Sequence, residues 1–208
     1  MTKQQTVLTQ GLVLLMATAT GIAVASNYYA QPLLDTIANE FRLSHSLAGN
    51  IVTTAQLSYG IGLLFLVPLA DRLERRQLIV VMSLFATVGL LISGFAGSLP
   101  WLLLGTAITG LSSVVAQVLL PLGATLASEQ HRGKVIGTIM GGLLLGILLA
   151  RVVAGGLSSL GSWRYIYWFA AVAMFITTLA FARYLPTYHN NNDMSYKQIL
   201  GSVMGLFI

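Results

Sequence analysis

Cysteine is absent from this chain, and charge is scarce: 11 Lys and Arg, 6 Asp and Glu, together 8% of 208 residues. Without cysteine there is no disulfide framework, thiolate nucleophile or zinc–thiolate site. A soluble domain carries about a quarter charged residues, and a folded sphere of this size must cover its surface with polar groups. With 56% apolar residues, much of this surface must meet lipid instead. That excludes a soluble enzyme. It also excludes a nucleic-acid module, because the net charge of +5 is distributed as membrane topology requires.

A helix needs roughly 20 apolar residues to cross the hydrocarbon. Uncharged runs of that length predict spans at 7–28, 46–70, 78–96, 101–127, 135–157 and 165–182, the fifth interrupted only by Arg151. The uncharged stretch 77–128 is too long for one crossing, and Gly97-Ser98-Leu99-Pro100 supplies the turn that divides it. A start at 198 would open a seventh span that stops half-way at Ile208. The expected division is therefore a six-span unit at 1–185, a polar linker at 186–197 and the beginning of a further span at 198–208. Lys3, the first apolar run and Ala23-Val24-Ala25 also look like a signal peptide with a cleavage site, but the run is long enough to remain in the bilayer.

Positive charge sets orientation. With the N-terminus cytoplasmic, the inner side holds Lys3, Arg72, Arg75, Arg76, Arg132, Lys134, Arg183 and Lys197. The outer side then holds only Arg42 and Arg164. Trp101, Trp163, Tyr165, Tyr167 and Trp168 fall at the outer interface, where an aromatic belt is expected.

The densest charge cluster is Asp71-Arg72-Leu73-Glu74-Arg75-Arg76, between spans two and three. It can be a plain positive-inside anchor. Alternatively, Asp71 can cap a helix N-terminus and pair with an arginine of a neighbouring loop, latching one conformation of a moving bundle. Leu69, Ala70, Asp71, Arg72, Arg75 and Arg76 resemble the loop signature G-x-L-A-D-R-x-G-R-R of the major facilitator superfamily, with Val67 and Glu74 in place of its two glycines. The stretches Asn27-Tyr28-Tyr29-Ala30-Gln31-Pro32, Val114-Val115-Ala116-Gln117 and Leu149-Ala150-Arg151 are similar to a bacterial subgroup of that family described as arabinose-efflux-like or drug:proton antiporter-like. The resemblance implies a bacterial inner-membrane transporter of twelve spans, of which this chain covers the N-terminal half as two inverted three-helix repeats. It also implies a role in small-molecule efflux, with a second six-span half or a homodimer partner completing the cavity. The resemblance does not extend to the arginine that many family antiporters carry in span four, where Thr106 stands, nor to their Gly-Pro in span five, where Gly141-Gly142 stands.

Inside the spans, polar residues recur at helical spacing. Thr106, Thr109, Ser113 and Gln117 share one face of span four, Thr53, Gln56 and Gly60 one face of span two, and Met16, Thr20 and Asn27 one face of span one. Ser and Thr commonly bond back to their own helix, whereas a buried amide needs an external partner. Thr20, Asn27, Gln56, Ser113, Gln117 and Arg151 are the substrate-cavity candidates. Arg151 stands about 10 Å from the outer end at helical rise, where it can either face the cavity or reach the interface. Gly142, Gly146, Ala150 and Ala154 form a small-residue stripe for close helix packing.

No Asp or Glu lies within a span, and His45, His131 and His189 are all in loops. That leaves no proton relay at membrane depth, no clustered metal ligands and no Ser–His pair for an intramembrane protease. The expected partners are the bilayer and a small-molecule substrate, with no cofactor and no nucleic acid. A six-span channel, a structural membrane subunit or an inactive fragment remains the alternative.

Overall fold

The computed structural model describes residues 8–188, and every regular element in them is helical. Helix α1 (Gln10–Ala25) is capped by Thr9, whose hydroxyl accepts from the Leu12 N–H. A turn and the 3-10 segment Gln31–Leu33 follow, with Pro32 fixing the backbone at its start. The eight-residue α2 (Leu34–Phe41) ends on Arg42 in the left-handed conformation, φ 53°. Helix α3 (His45–Phe65) is capped by Ser44 and closes in the 3-10 turn Pro68–Asp71. Helices α4 (Arg75–Gly94), α5 (Leu99–Ser112), α6 (Val115–Leu126), α7 (Arg132–Ser158) and α8 (Arg164–Tyr184) complete the bundle.

Five helical segments are long and apolar enough to cross a membrane, counting α5 and α6 as one and α3 with its following turn as another. The shorter apolar α1 makes the sixth. All six expected spans are present within a few residues of their expected bounds. The linker beyond Tyr188, the start of a seventh span at 198–208, and Lys3, His189 and Lys197 lie outside the described residues.

The packing carries the symmetry of two three-span units. The first span packs on the fifth, as the fourth packs on the second, while the third and sixth pack on each other. The α1–α7 contact is a close one. A Cβ on Gly142 would meet the Ala17 carbonyl oxygen at 2.2 Å, and one on Gly146 would meet the Gly21 carbonyl oxygen at 2.3 Å. Ala150 and Ala154 continue the stripe and are buried. The small residues therefore do what their spacing predicts: they let two backbones touch where lipid gives no hydrophobic drive for association.

Two features depart from the sequence reading. Span four is not one continuous helix, because α5 ends at Ser112 and α6 begins at Val115. At this step the backbone tightens: the Ala116 and Gln117 amides bond three residues back, to Ser113 and Val114. Nothing in an uncharged apolar run marks such a step. The aromatic belt is also thinner than expected. Trp101 and Tyr165 are exposed, but Trp163 and Tyr167 are buried, and their rings meet edge to face at 5.7 Å. A carboxylate explains the burial of Trp163: its indole N–H donates to Glu40 over 2.6 Å, so the ring need not seek the interface.

Candidate functional site

At one end of the bundle, the loop between α3 and α4 forms a compact polar knot. Asp71 lies 3.6 Å from Arg75, one helical turn later, and Arg75 also donates through Nε to the Ala70 carbonyl. Asp71 does not cap α4, contrary to expectation. Glu74 does, its two carboxylate oxygens accepting from the Arg76 and Gln77 amides at 2.9 Å each. The geometry decides this: a capping side chain must precede the first helical residue immediately, and Asp71 is held in the preceding 3-10 turn. Among the described residues, the ion pair of Asp71 is with Arg75 of its own loop and not with an arginine of another.

The knot ties the loop to the end of α8 and the residues just after it instead. Arg76 donates through Nη2 to the Ala182 carbonyl at the end of α8. Glu74 accepts from the Tyr188 amide at 3.1 Å, and the Arg75 amide donates to the Tyr188 carbonyl at 3.1 Å. The Arg75 guanidinium also lies 5.2 Å from the centre of the Tyr188 ring. Arg72 is exposed. Glu74 was read from sequence only as a departure from a glycine, so its part in this knot was missed. The sequence signal was weak, since Glu is not one of the preferred cap residues and Arg75-Arg76-Gln77 separate it from the apolar run.

At the opposite end, Glu40 on α2 pairs with Arg164 at the start of α8 over 2.6 Å, and Arg164 also donates to the Ala96 carbonyl beyond α4. This clamp joins three segments far apart in sequence.

Between the two ends, the cavity candidates separate into two groups. Arg151 and Gln56 are exposed on α7 and α3. Arg151 Nη2 donates to Gln31 Oε1 at 3.1 Å, which joins the fifth span to the 3-10 turn after the first. Gln117 is half-buried and donates to the Tyr59 hydroxyl at 3.0 Å, so this amide does find the external partner it needs. Thr20, Asn27 and Ser113 are buried in the bundle rather than on an open wall. Ser113 bonds back to the Thr109 carbonyl at 2.7 Å, the self-satisfied state common for a helical serine. Asn27 belongs to a small interior cavity with Ser93, Thr106, Thr109 and Tyr167.

The exposed faces of α3 and α7 are otherwise apolar. Leu57 and Ile61 stand out on α3, and Leu144, Leu148 and Val152 on α7. Of the apolar stretches of the five long spans, only 28% in the second and 17% in the fifth is buried, against 44% or more in the other three. Among the described residues no group of His, Asp and Glu could hold a metal.

Six apolar helices packed as two three-span units, with a charged knot at one end, define a polytopic membrane bundle. The pattern of the Major Facilitator Superfamily matches residues 16–198, and the chain belongs to that family. It is 60% identical over all 208 residues to the uncharacterized transporter YgaY of Escherichia coli O157:H7, covering 53% of that protein. It is 28% identical over 180 residues to multidrug resistance protein D of Escherichia coli K12, a match that covers 84% of this chain and 44% of that one. Among solved structures, the fold is similar to a peptide transporter POT in complex with sulfate. The TM-score is 0.73 at 19% identity, covering 94% of this chain and 44% of that one. The chain spans about half the length of the relatives it matches.

Proposed function

We propose that this chain forms the N-terminal half of a secondary active transporter in a bacterial inner membrane, with its N-terminus cytoplasmic, that exports a small polar or anionic molecule. The observation that carries the reading is the Arg151–Gln31 pair. An arginine at membrane depth is costly, and such residues face a bundle interior or a water-filled path rather than lipid. Arg151 is exposed in this chain, on one of the two spans with the least buried apolar surface. A second six-span half, or a second copy of the chain, would convert that exposed face into a cavity wall at the repeat interface. One guanidinium N–H bonds to Gln31, and the group's five donors leave capacity for a carboxylate or a hydroxyl-rich ligand. The carboxylate that closes the second span, Asp71, is paired with Arg75.

The same arrangement bears on coupling. Among the described residues of the six spans, the acidic residue and the histidine stand only at the two ends of the second, Asp71 and His45, so a proton-driven cycle would rely on a titrating group at a boundary or in the second half. The knot at Asp71 and Arg75 would act as the cytoplasmic latch of the rocking cycle. The similarity to multidrug resistance protein D favours export.

Counterflow tests the reading. Proteoliposomes bearing the assembled transporter are loaded with sugars, short peptides or organic anions and assayed for exchange with labelled compound outside. Saturable exchange that Arg151→Ala weakens for anionic or polar cargo is the expected result. Equal exchange by Arg151→Ala would mean that the side chain merely reaches the interface. Flux without saturation or competition would establish a channel.

A further inference from the structure

Seven buried side-chain polar atoms among the described residues have no hydrogen-bond partner within the chain. Three of them, Asn27 Oδ1, Ser93 Oγ and Thr109 Oγ1, belong to residues that line one cavity of about 10 Å³. Its wall is drawn from five parts of the fold: the turn after α1, α3 through Ala55, α4, α5 and, through Tyr167, α8. Buried hydroxyls ordinarily satisfy themselves against the carbonyl one turn back. Thr87, Ser113 and Thr178 all do so, at 2.7–2.9 Å. Ser93 and Thr109 do not, although both are helical and buried.

Their positions are fixed by the crossing of α4 and α5. Each hydroxyl lies over a glycine of the facing helix: a Cβ on Gly105 would meet Ser93 Oγ at 2.4 Å, and one on Gly89 would meet Thr109 Oγ1 at 2.5 Å. The two helices thus hold the hydroxyls in place, and Asn27 adds a third buried oxygen from the turn after α1.

We infer that this cavity is a binding site for one ordered water molecule, held by Asn27 Oδ1, Ser93 Oγ and Thr109 Oγ1. The size suits it, since a single water needs roughly 10–15 Å³ and typically makes about three hydrogen bonds. The valences also match. The Asn27 carbonyl oxygen can only accept, so the water donates one proton to it; each hydroxyl can donate or accept as the water's second proton and lone pairs require. No carboxylate lines the cavity, so a cation there would lie uncompensated in a low-dielectric interior, and a neutral ligand is favoured. The water ties the turn after α1 to the α4–α5 crossing. Gln31, four residues beyond Asn27, carries the bond to Arg151, so the water is a positioning element beneath that pair.

X-ray hydroxyl-radical footprinting of the full chain in nanodiscs tests this, because a bound water converted to radical oxidises the side chain beside it. Tyr167 lines the cavity and is buried; Phe181 is buried and does not line it. The expected result is oxidation of Tyr167 at least tenfold faster than Phe181 after correction for ring reactivity. Thr109→Ser keeps the hydroxyl and keeps the labelling. Ser93→Ala combined with Thr109→Val lowers Tyr167 to the Phe181 level. Replacing sodium by potassium changes nothing. Wild-type Tyr167 at the Phe181 level would overturn the site, as would full labelling in the double variant. Labelling that followed the cation would overturn water as its occupant.

Discussion

The carboxylate of Glu74 accepts a hydrogen bond from the backbone amide of Tyr188, 114 residues later in the chain. The same carboxylate caps α4 through the Arg76 and Gln77 amides. One side chain therefore fixes both where the third span begins and where the chain leaves the sixth.

Glu74→Ala removes both functions. Losing an N-cap costs about 1 kcal/mol, and a partly buried bond to a charged acceptor adds about 1.5–3 kcal/mol. Thermal unfolding in detergent should fall, and trypsin should cut faster after Arg183, in the last turn of α8. Glu74→Gly separates the two effects. Glycine is a tolerated cap, so stability should drop by less while cleavage after Arg183 still accelerates. Unchanged cleavage in both variants would mean that the contact to Tyr188 does not restrain the end of the sixth span.

How much of this was legible in the sequence depends on the range of the interaction. Spans are set by uninterrupted apolar runs between charged loops, a local signal, and each was found within a few residues. The stripe at Gly142 and Gly146 was legible for the same reason, since four-residue spacing within one helix creates the face. What could not be read was pairing across the bundle. Glu40 and Arg164 are 124 residues apart, and Gln31 and Arg151 are 120 apart; no spacing rule connects them. Trp163 looked interfacial because its type and position fit that role, and only its distant carboxylate partner explains its burial. Asp71 was read as able to cap because it is a carboxylate at the membrane edge ahead of a helix, while Glu74, three residues on, held the position that capping geometry requires.

Asp71→Asn tests the latch within an assembled transporter. The pair with Arg75 is half-exposed on the carboxylate side and nearly buried on the arginine side. Neutralising it leaves Arg75 with a buried Nη1 that already has no partner. Membrane insertion and span topology should be unaffected. Transport should fall while substrate binding persists, because the loss acts on switching rather than on the cavity. Unchanged transport would remove Asp71 from the mechanism.

Adjacent glycines on α7 give opposite predictions. A methyl group on Gly142 would run into the Ala17 backbone of α1, which cannot swing aside. Overpacking of this kind costs about 1–3 kcal/mol, so Gly142→Ala should lower the unfolding midpoint and loosen the first span. At Gly141 a Cβ would meet nothing within 4 Å. Alanine there gains up to about 1 kcal/mol of helix propensity, and Gly141→Ala should be neutral or stabilising. Equal midpoints for the two variants would refute the close α1–α7 approach.

The absence of cysteine from these 208 residues allows their topology and cavity face to be mapped on a clean background, because every introduced thiol is the only one among them. A charged, membrane-impermeant thiosulfonate reacts with thiols that water reaches. With the N-terminus cytoplasmic, Arg42→Cys should label in intact cells and Arg132→Cys only after permeabilisation; the reverse pattern would invert the topology. Within the bundle, exposure alone does not separate water from lipid, and the reagent does. Arg151→Cys should label from outside, because the face it occupies is read as cavity wall. Leu179→Cys is also exposed, on α8, but should stay unlabelled, because that face is read as lipid-facing. Thr20→Cys should also stay unlabelled, because Thr20 is buried in the bundle. An unreactive thiol at position 151 would place Arg151 against lipid, and the proposed cavity wall would lose that cationic group.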